Sequence, residues 1–449
     1  MTEQEGRRAA VFSQIEDFHD WLADEERSHA FDVRPVPLED LTGWSFHPDT
    51  GVIGHHTGRF FTISGLLVDT DQGPVRSWSQ PIIVQPETGI LGILVKRFGG
   101  VPHFLLQAKM EPGNIRPVQL SPTVQATRSN YTRVHGGRPV PYLEYFQTPR
   151  RGRVVADVLQ QEQGSWFLHK RNRNIIVEVD EEVPVLPGFC WLTGEQIGEL
   201  ILIDNLVNMD TRTVLAGYPP APGPEDPEVR DASDVAALSW FTEARAGRRL
   251  DRGLIPLNEV KDWVRADGRI SHRLDRYFSV MGVSVEIDNR EVSRWSQPMV
   301  APRERGVIAF LARRPPASDD LELLVRAHTQ AGTFDVVEMA PTVQCAPGNH
   351  DPDRRPPFLD HVLSAPPERI LLDVVHSEEG GRLYHAENRY LIVEVDADFP
   401  DDVGEDFRWM DARRLARFGR HCDHVELEAR SLLACLRFLD PFPRQGAHR

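Results

Sequence analysis

The chain is poor in the features that mark several large protein classes. It has only four cysteines, Cys190, Cys345, Cys422 and Cys435, and no Cys-x-x-Cys pair. That argues against a disulfide-stapled scaffold and predicts reduced, structural thiols. No run of about 18 apolar residues occurs, so nothing is expected to span a membrane. The N-terminal stretch lacks the apolar core of a secretion signal, which predicts a cytoplasmic protein. Basic residues are in deficit, 51 against 67 acidic ones, for a formal charge of −16. Nucleic-acid binding needs a basic footprint and is disfavoured, whereas a locally basic pocket for a small anionic ligand is not. No Gly-rich phosphate loop, dinucleotide fingerprint or Gly-x-Ser-x-Gly elbow is present. The two histidines of His421-Cys422-Asp423-His424, read as lying on a helix, are too few ligands for zinc, so no metal site and no cofactor are predicted.

What the chain does have is repetition. Trp-Ser-Gln-Pro occurs at Trp78 and again at Trp295, 217 residues on. Arg59-Phe-Phe-Thr-Ile-Ser-Gly is matched by Arg276-Tyr-Phe-Ser-Val-Met-Gly, Ser121-Pro-Thr-Val-Gln by Ala340-Pro-Thr-Val-Gln, and Ile175-Ile-Val-Glu-Val-Asp by Leu391-Ile-Val-Glu-Val-Asp. The order is the same throughout and the offset stays between 216 and 219. Such a long period is a domain duplication rather than a solenoid. The expected organisation is one repeat over 1–218, a Pro-rich linker over 219–233 and a second repeat over 234–449. Ligand sites often lie at junctions of this kind.

Each copy reads as mixed α+β. Ile15, Phe18 and Leu22 share one helical face. Segments such as 59–69, 90–98, 102–110 and 174–180 are β-branched, aromatic or alternating, and predict mainly antiparallel strands. Helices are expected over 193–207 and 411–421. Pro81 and Pro298 cannot donate to a ladder, which places them at a strand start or edge.

Three constellations suggest a site. The repeated Trp78 and Trp295 offer flat faces for a base or sugar ring, although a buried Trp at a turn fits the same pattern. Residues 105–137 are dense in polar groups, including Lys109, Glu111, Thr123, Gln125, Asn130 and Tyr131, and read as a binding wall. The second copy keeps Thr342, Val343 and Gln344 but has Arg326 and His328 where the first has Gln107 and Lys109. The copies diverge where a ligand would be read. Finally, His-x-x-Asn-Arg recurs as His169, Asn172, Arg173 and His385, Asn388, Arg389. Arginine can grip a phosphate and histidine can move a proton, but a duplicated structural turn is an equal reading.

The stretches from Trp78 to Asn114, Leu120 to Tyr131 and His135 to Phe146, with the second-copy motifs, resemble the NDP-hexose 2,3-dehydratase family of deoxysugar and antibiotic biosynthesis. The resemblance spans nearly the whole chain. It implies a Nudix-like fold for each half, two halves packed together, and a homodimer. The Nudix hydrolase signature is absent, so pyrophosphate hydrolysis is not implied. The implied reaction takes a dTDP-4-keto-6-deoxy-D-glucose to a 3,4-diketo-2,6-dideoxy sugar nucleotide, to be passed to a 3-ketoreductase. The C3 proton, α to the ketone, leaves first, and the C2 hydroxyl is then expelled. Such a site needs a base, an acid, an oxyanion donor and a nucleotide grip, without a redox cofactor.

On this basis Lys109, Glu111, Tyr131 and His169 are candidates for catalysis. Trp78 and Trp295 would meet the rings. Thr123, Gln125, Asn130, Thr342, Val343, Gln344 and Asn388 would contact the ligand, and Arg173, Arg326 and Arg389 the diphosphate. The competing expectation is a non-catalytic tandem dTDP-sugar-binding protein.

Overall fold

A computed structural model describes residues 11–128, 139–148, 151–219, 232–290, 292–315, 321–396 and 399–439. The architecture is mixed α+β and duplicated. The first large sheet runs in the order Arg153–Gln161, Arg171–Glu178, Gly89–Phe98, Val101–Met110, Phe189–Thr193. The second repeats it as Ile370–Ser377, Glu387–Glu394, Gly306–Arg313, Glu322–His328, Phe407–Asp411. Gly89–Phe98 pairs in parallel with Arg171–Glu178, and Gly306–Arg313 does the same with Glu387–Glu394. These central strands are buried almost end to end, so their apolar runs are continuous rather than alternating.

Seven helices lie among the described residues: α1 (Ile15–Ser28), α2 (Gly194–Leu200), α3 (Met209–Leu215), α4 (Ala232–Gly247), α5 (Leu359–Leu363), α6 (Ala412–Phe418) and α7 (Leu427–Phe438). The predicted late helix of each copy is real but short, and a second helix, α3 or α7, follows it. The His421–His424 stretch is a turn before α7, not a helix. Thr193 caps α2 through a capping box with Gln196. α3 and α7 pack against each other. Each carries a fully buried arginine that ties the two repeats together. Arg212 donates to the carbonyls of Val207 and Ser377, and Arg430 to those of Val425 and Gln161. Buried guanidinium groups must be hydrogen-bonded in this way to be tolerated.

The two smaller sheets each contain a strand from the opposite repeat. Phe31–Val36 pairs antiparallel with Phe278–Ile287, and Leu250–Ile255 pairs antiparallel with Thr62–Thr70. The two repeats are therefore interlocked by a reciprocal strand exchange. Their cores are shared as well: Leu38, Leu41 and Phe61 pack in one cluster with Leu257, Val260 and Phe278.

The Trp-Ser-Gln-Pro motif lies inside a strand, not at a strand boundary. Pro81 sits within Ser77–Val84 and Pro298 within Arg294–Pro302. These strands are ladder-bonded along one side, with only Ile83–Val84 or Val300 bridged on the other, so a proline is tolerated. The motif braces the exchange. The Ser296 hydroxyl accepts from Thr42 N–H, and Trp44 Nε1 donates to the Ser296 carbonyl, each at 2.8 Å. Across the pseudo-dyad, Ser79 receives Lys261 N–H at 2.8 Å and Trp263 Nε1 at 3.1 Å. Gln80 and Gln297 each accept from their motif's Trp and donate to a carbonyl, of Ser165 and Gly381 respectively.

Candidate active site

A cavity of about 390 Å³ opens where the first large sheet meets the exchanged segments and the second repeat. One wall is aromatic. Trp44 and Phe61 lie with ring centres 4.8 Å apart, beside Phe60 and His55. Trp44 comes from the short strand that follows the exchanged one, which is why the Ser296 brace shapes this wall.

The floor is built from the first sheet. Lys109 and Glu111 stand two residues apart at the end of Val101–Met110, both buried. Gln125 joins them: Lys109 Nζ donates to its carbonyl at 3.2 Å, and its Nε2 donates to Glu111 at 3.0 Å. Asn172 fixes the opposite edge. Its Oδ1 accepts from Gly89 N–H at 3.0 Å and its Nδ2 donates to Glu162 at 2.5 Å. Lys170 and Asp210 complete this side. Burial raises the pKa of Glu162 and, with Glu162 and Glu379 as neighbours, raises that of Asp210 well above the usual carboxylate range. Burial lowers that of Lys170.

The second repeat supplies the remaining wall: Arg290, Trp295, Ser296, Gln297, Glu379, Gly381 and Arg382. Arg290 Nη1 lies 3.4 Å from Glu111, and the Arg382 guanidinium lies 4.3 Å over the Phe61 ring. Two backbone clasps hold the repeats in this position. Gly113 N–H donates to the Gly380 carbonyl at 2.7 Å, and Gly332 N–H to that of Gly164 at 2.6 Å. No side chain fits either place: a Cβ on Gly113 would sit 1.7 Å from the Leu383 carbonyl, and one on Gly332 1.9 Å from that of Phe167.

The NDP-hexose 2,3-dehydratase family model matches residues 15–218 and again 234–436, which is most of the chain. The chain belongs to the NDP-hexose 2,3-dehydratase family. Three proteins described as dTDP-4-dehydro-6-deoxy-alpha-D-glucopyranose 2,3-dehydratase are similar over nearly their whole length. That of Streptomyces violaceoruber is 54% identical over 441 residues, 96% of this chain and 98% of its own. That of Saccharopolyspora spinosa is 49% identical, over 94% and 91% of the two chains, and that of Amycolatopsis orientalis 47% identical, over 97% and 93%.

In this 2,3-dehydratase-family chain the cavity gathers Lys109, Glu111, Gln125 and Trp295 of the residues expected from sequence. Asn130 and Tyr131 lie outside the described residues. The others stand elsewhere, for identifiable reasons. Trp78 lines no part of the cavity; it occupies the braced position on the far side of the pseudo-dyad. Thr123 and Thr342 are internal struts: each accepts a backbone N–H, from Leu94 or Leu311, and donates to a backbone carbonyl, of Leu105 or Leu324. Val343 is packed in the second repeat's core, and Gln344 beside it is paired with Ile308 in the sheet.

His169 and His385 hold left-handed turns, φ 50° and 49°, and their N–H groups donate to Gly332 and Gly113. His169 lies against Phe334, ring centres 4.9 Å apart and tilted, and lines no part of the cavity. Arg173 and Arg389 are spent on Asp157 and Asp373. Arg326 lies under Phe407 in the second repeat, and Asn388 ties Gly306 to Glu378. The sequence reading missed Glu162, Lys170, Asp210, Arg290, Glu379 and Arg382. A residue-by-residue alignment of the copies carries a signal for three of them, since Lys170, Glu379 and Arg382 face Ala386, Gln163 and Trp166 in the other copy.

Among the described residues no group of three or more His, Cys, Asp or Glu could hold a metal ion, and no helix is long and apolar enough to cross a membrane.

Proposed function

We propose that the chain removes the C2 hydroxyl of dTDP-4-keto-6-deoxy-D-glucose, giving a 3,4-diketo-2,6-dideoxy sugar nucleotide. The observation that carries this is the pairing of Lys109 with Glu111 through Gln125 on one face of the cavity. A carboxylate and an ammonium side by side suit removal of a proton α to a ketone. Glu111 takes the C3 proton, and Lys109 stabilises the negative charge that moves to the C4 oxygen. The aromatic wall of Trp44, Phe60 and Phe61 suits the thymine ring, and Arg290 and Arg382 suit the diphosphate. The names of the relatives support the same substrate.

The family resemblance also supports a Nudix-like scaffold for each repeat, a homodimer, and hand-over of the diketone to a 3-ketoreductase. Mass spectrometry after incubation with the 4-keto sugar nucleotide in deuterated water tests the reading. Loss of water is expected. Binding with no change in mass would show a non-catalytic sugar-nucleotide binder, deuterium uptake alone an epimerase or isomerase, and cleavage to dTMP a pyrophosphatase.

A further inference from the structure

The duplication allows each cavity position to be compared with its twin. Glu111 of the first repeat and Glu379 of the second meet across the Gly113–Gly380 clasp. A Cβ on Gly380 would lie 3.1 Å from the Glu111 Cβ, and one on Gly381 would lie 2.5 Å from Glu379 Oε1 and 3.6 Å from Glu111 Oε1. At the twin clasp, Gly332–Gly164, the corresponding residues are Gln330 and Gln163. One junction therefore carries two carboxyl groups, the other two carboxamides. Both glutamines are engaged in holding structure: Gln330 donates to Glu426 at 2.8 Å, and Gln163 to Glu378 at 2.9 Å and Glu428 at 3.0 Å.

Glu379 is held differently. It is tied to backbone rather than to a side chain: Gly381 N–H donates to its Oε1 at 3.0 Å, while its Oε2 is shielded from bulk solvent without a hydrogen-bond partner, as is Glu162 Oε2. Glu162 is less suited to giving up a proton, since Asn172 donates to it and Lys170 is its strongest charged neighbour.

We infer that Glu379 is the acid that protonates the departing C2 hydroxyl, so that the second repeat completes the first repeat's catalytic site. The inference rests on the dehydratase reading above. Glu111 takes the C3 proton, and the C3–H electron pair passes into the enolate that ends on the C4 oxygen. When the enolate collapses, that pair becomes the C2–C3 double bond. The C2–O bond breaks with its electrons on oxygen, which takes the proton from Glu379 Oε2 and leaves as water. The proton on Glu111 returns to Glu379 through solvent, and the resulting enol gains a proton at C2 as it loses the one on its C3 oxygen. The net change is loss of one water, with no oxidant or reductant. Burial and the nearby Glu111 raise the pKa of Glu379, which keeps a proton available.

The test follows two readouts on the full-length protein: water loss, and exchange of the C3 hydrogen with deuterated water. Glu379→Gln, which copies the twin residue, is expected to slow water loss by about 10²-fold or more. Exchange at C3 should stay within about threefold of wild type, and dTDP affinity and Tm should be unchanged. Glu379→Asp, which keeps the acid, should recover part of the lost rate. Parallel loss of exchange and dehydration would overturn the assignment, since it would place Glu379 in proton removal or in structure. Unimpaired dehydration would overturn it as well. A wild-type protein that releases no water would sink the dehydratase reading, and this assignment with it.

Discussion

The two clasped junctions share a frame and differ in chemistry. Around the first stand Lys109, Glu111, Lys170, Glu379 and Arg382, and the twins of these residues are His328, Gln330, Ala386, Gln163 and Trp166. The frame itself, made of glycine clasps, threonine struts, buried arginines and motif serines, is the same on both sides. The copies thus keep what holds the repeats together and differ in the ionisable groups at the junctions. On the second side His328 lies 3.2 Å from Glu426, which also accepts from Gln330. Burial there lowers the pKa of His328 well below its usual value. The cavity draws on both repeats.

The comparison can be broken in order of effect. Glu111→Gln gives the first junction the residue of its twin and should lower the dehydration rate by roughly 10³-fold in a single-turnover assay. The reciprocal Gln330→Glu should leave the rate within about twofold. An equal loss from both would end the idea of one catalytic junction. Gly113→Ala and Gly332→Ala force similar clashes and should each cost about 3 kcal/mol or more in urea unfolding. Only Gly113→Ala, next to Glu111, should also depress kcat in the protein that remains folded.

A third prediction concerns pH. Glu338, whose twin is Gln119, is buried with Oε1 unpartnered, and burial pushes its pKa from 4.5 to about 8. Its contribution to stability is full below about 4.5, where folded and unfolded chains are both protonated. That contribution is lost as pH rises toward about 8, because the unfolded chain ionises first. Glu338→Gln should shrink the fall in unfolding free energy between pH 5.5 and 8 by at least ~1 kcal/mol. An unchanged slope would exclude Glu338 as its source. The smallest effects belong to the motif serines. Ser79→Ala and Ser296→Ala should each cost about 1 kcal/mol, and only Ser296→Ala, at the cavity wall, should raise KM.

Much of the fold was legible because repetition marks whatever both copies need. The duplication follows from the repeated motifs, and the opening helix and the central strands from the apolar pattern. The strand exchange does not, since Phe31–Val36 satisfies the same alternation against either repeat's sheet. For the site, repetition misled. Thr123 and Thr342, Arg173 and Arg389, and His169 and His385 recur because they are struts, ion pairs and turns of the shared frame. Lys109 and Glu111 were found where the copies differ. Glu379 and Arg382 were missed because their contribution crosses from the other repeat, and linear order gives no hint of that crossing.

The exchange also sets a schedule for synthesis. Phe31–Val36 leaves the ribosome more than two hundred residues before Phe278–Ile287, the strand it pairs with. Throughout that interval the nascent chain carries an unmatched strand, and the sheet containing Trp44 waits for Leu250–Ile255. Closure is therefore a late, long-range event. A ribosome stalled within the second half would hold a product with no finished pocket, ready to borrow the missing strand from a neighbouring polysome.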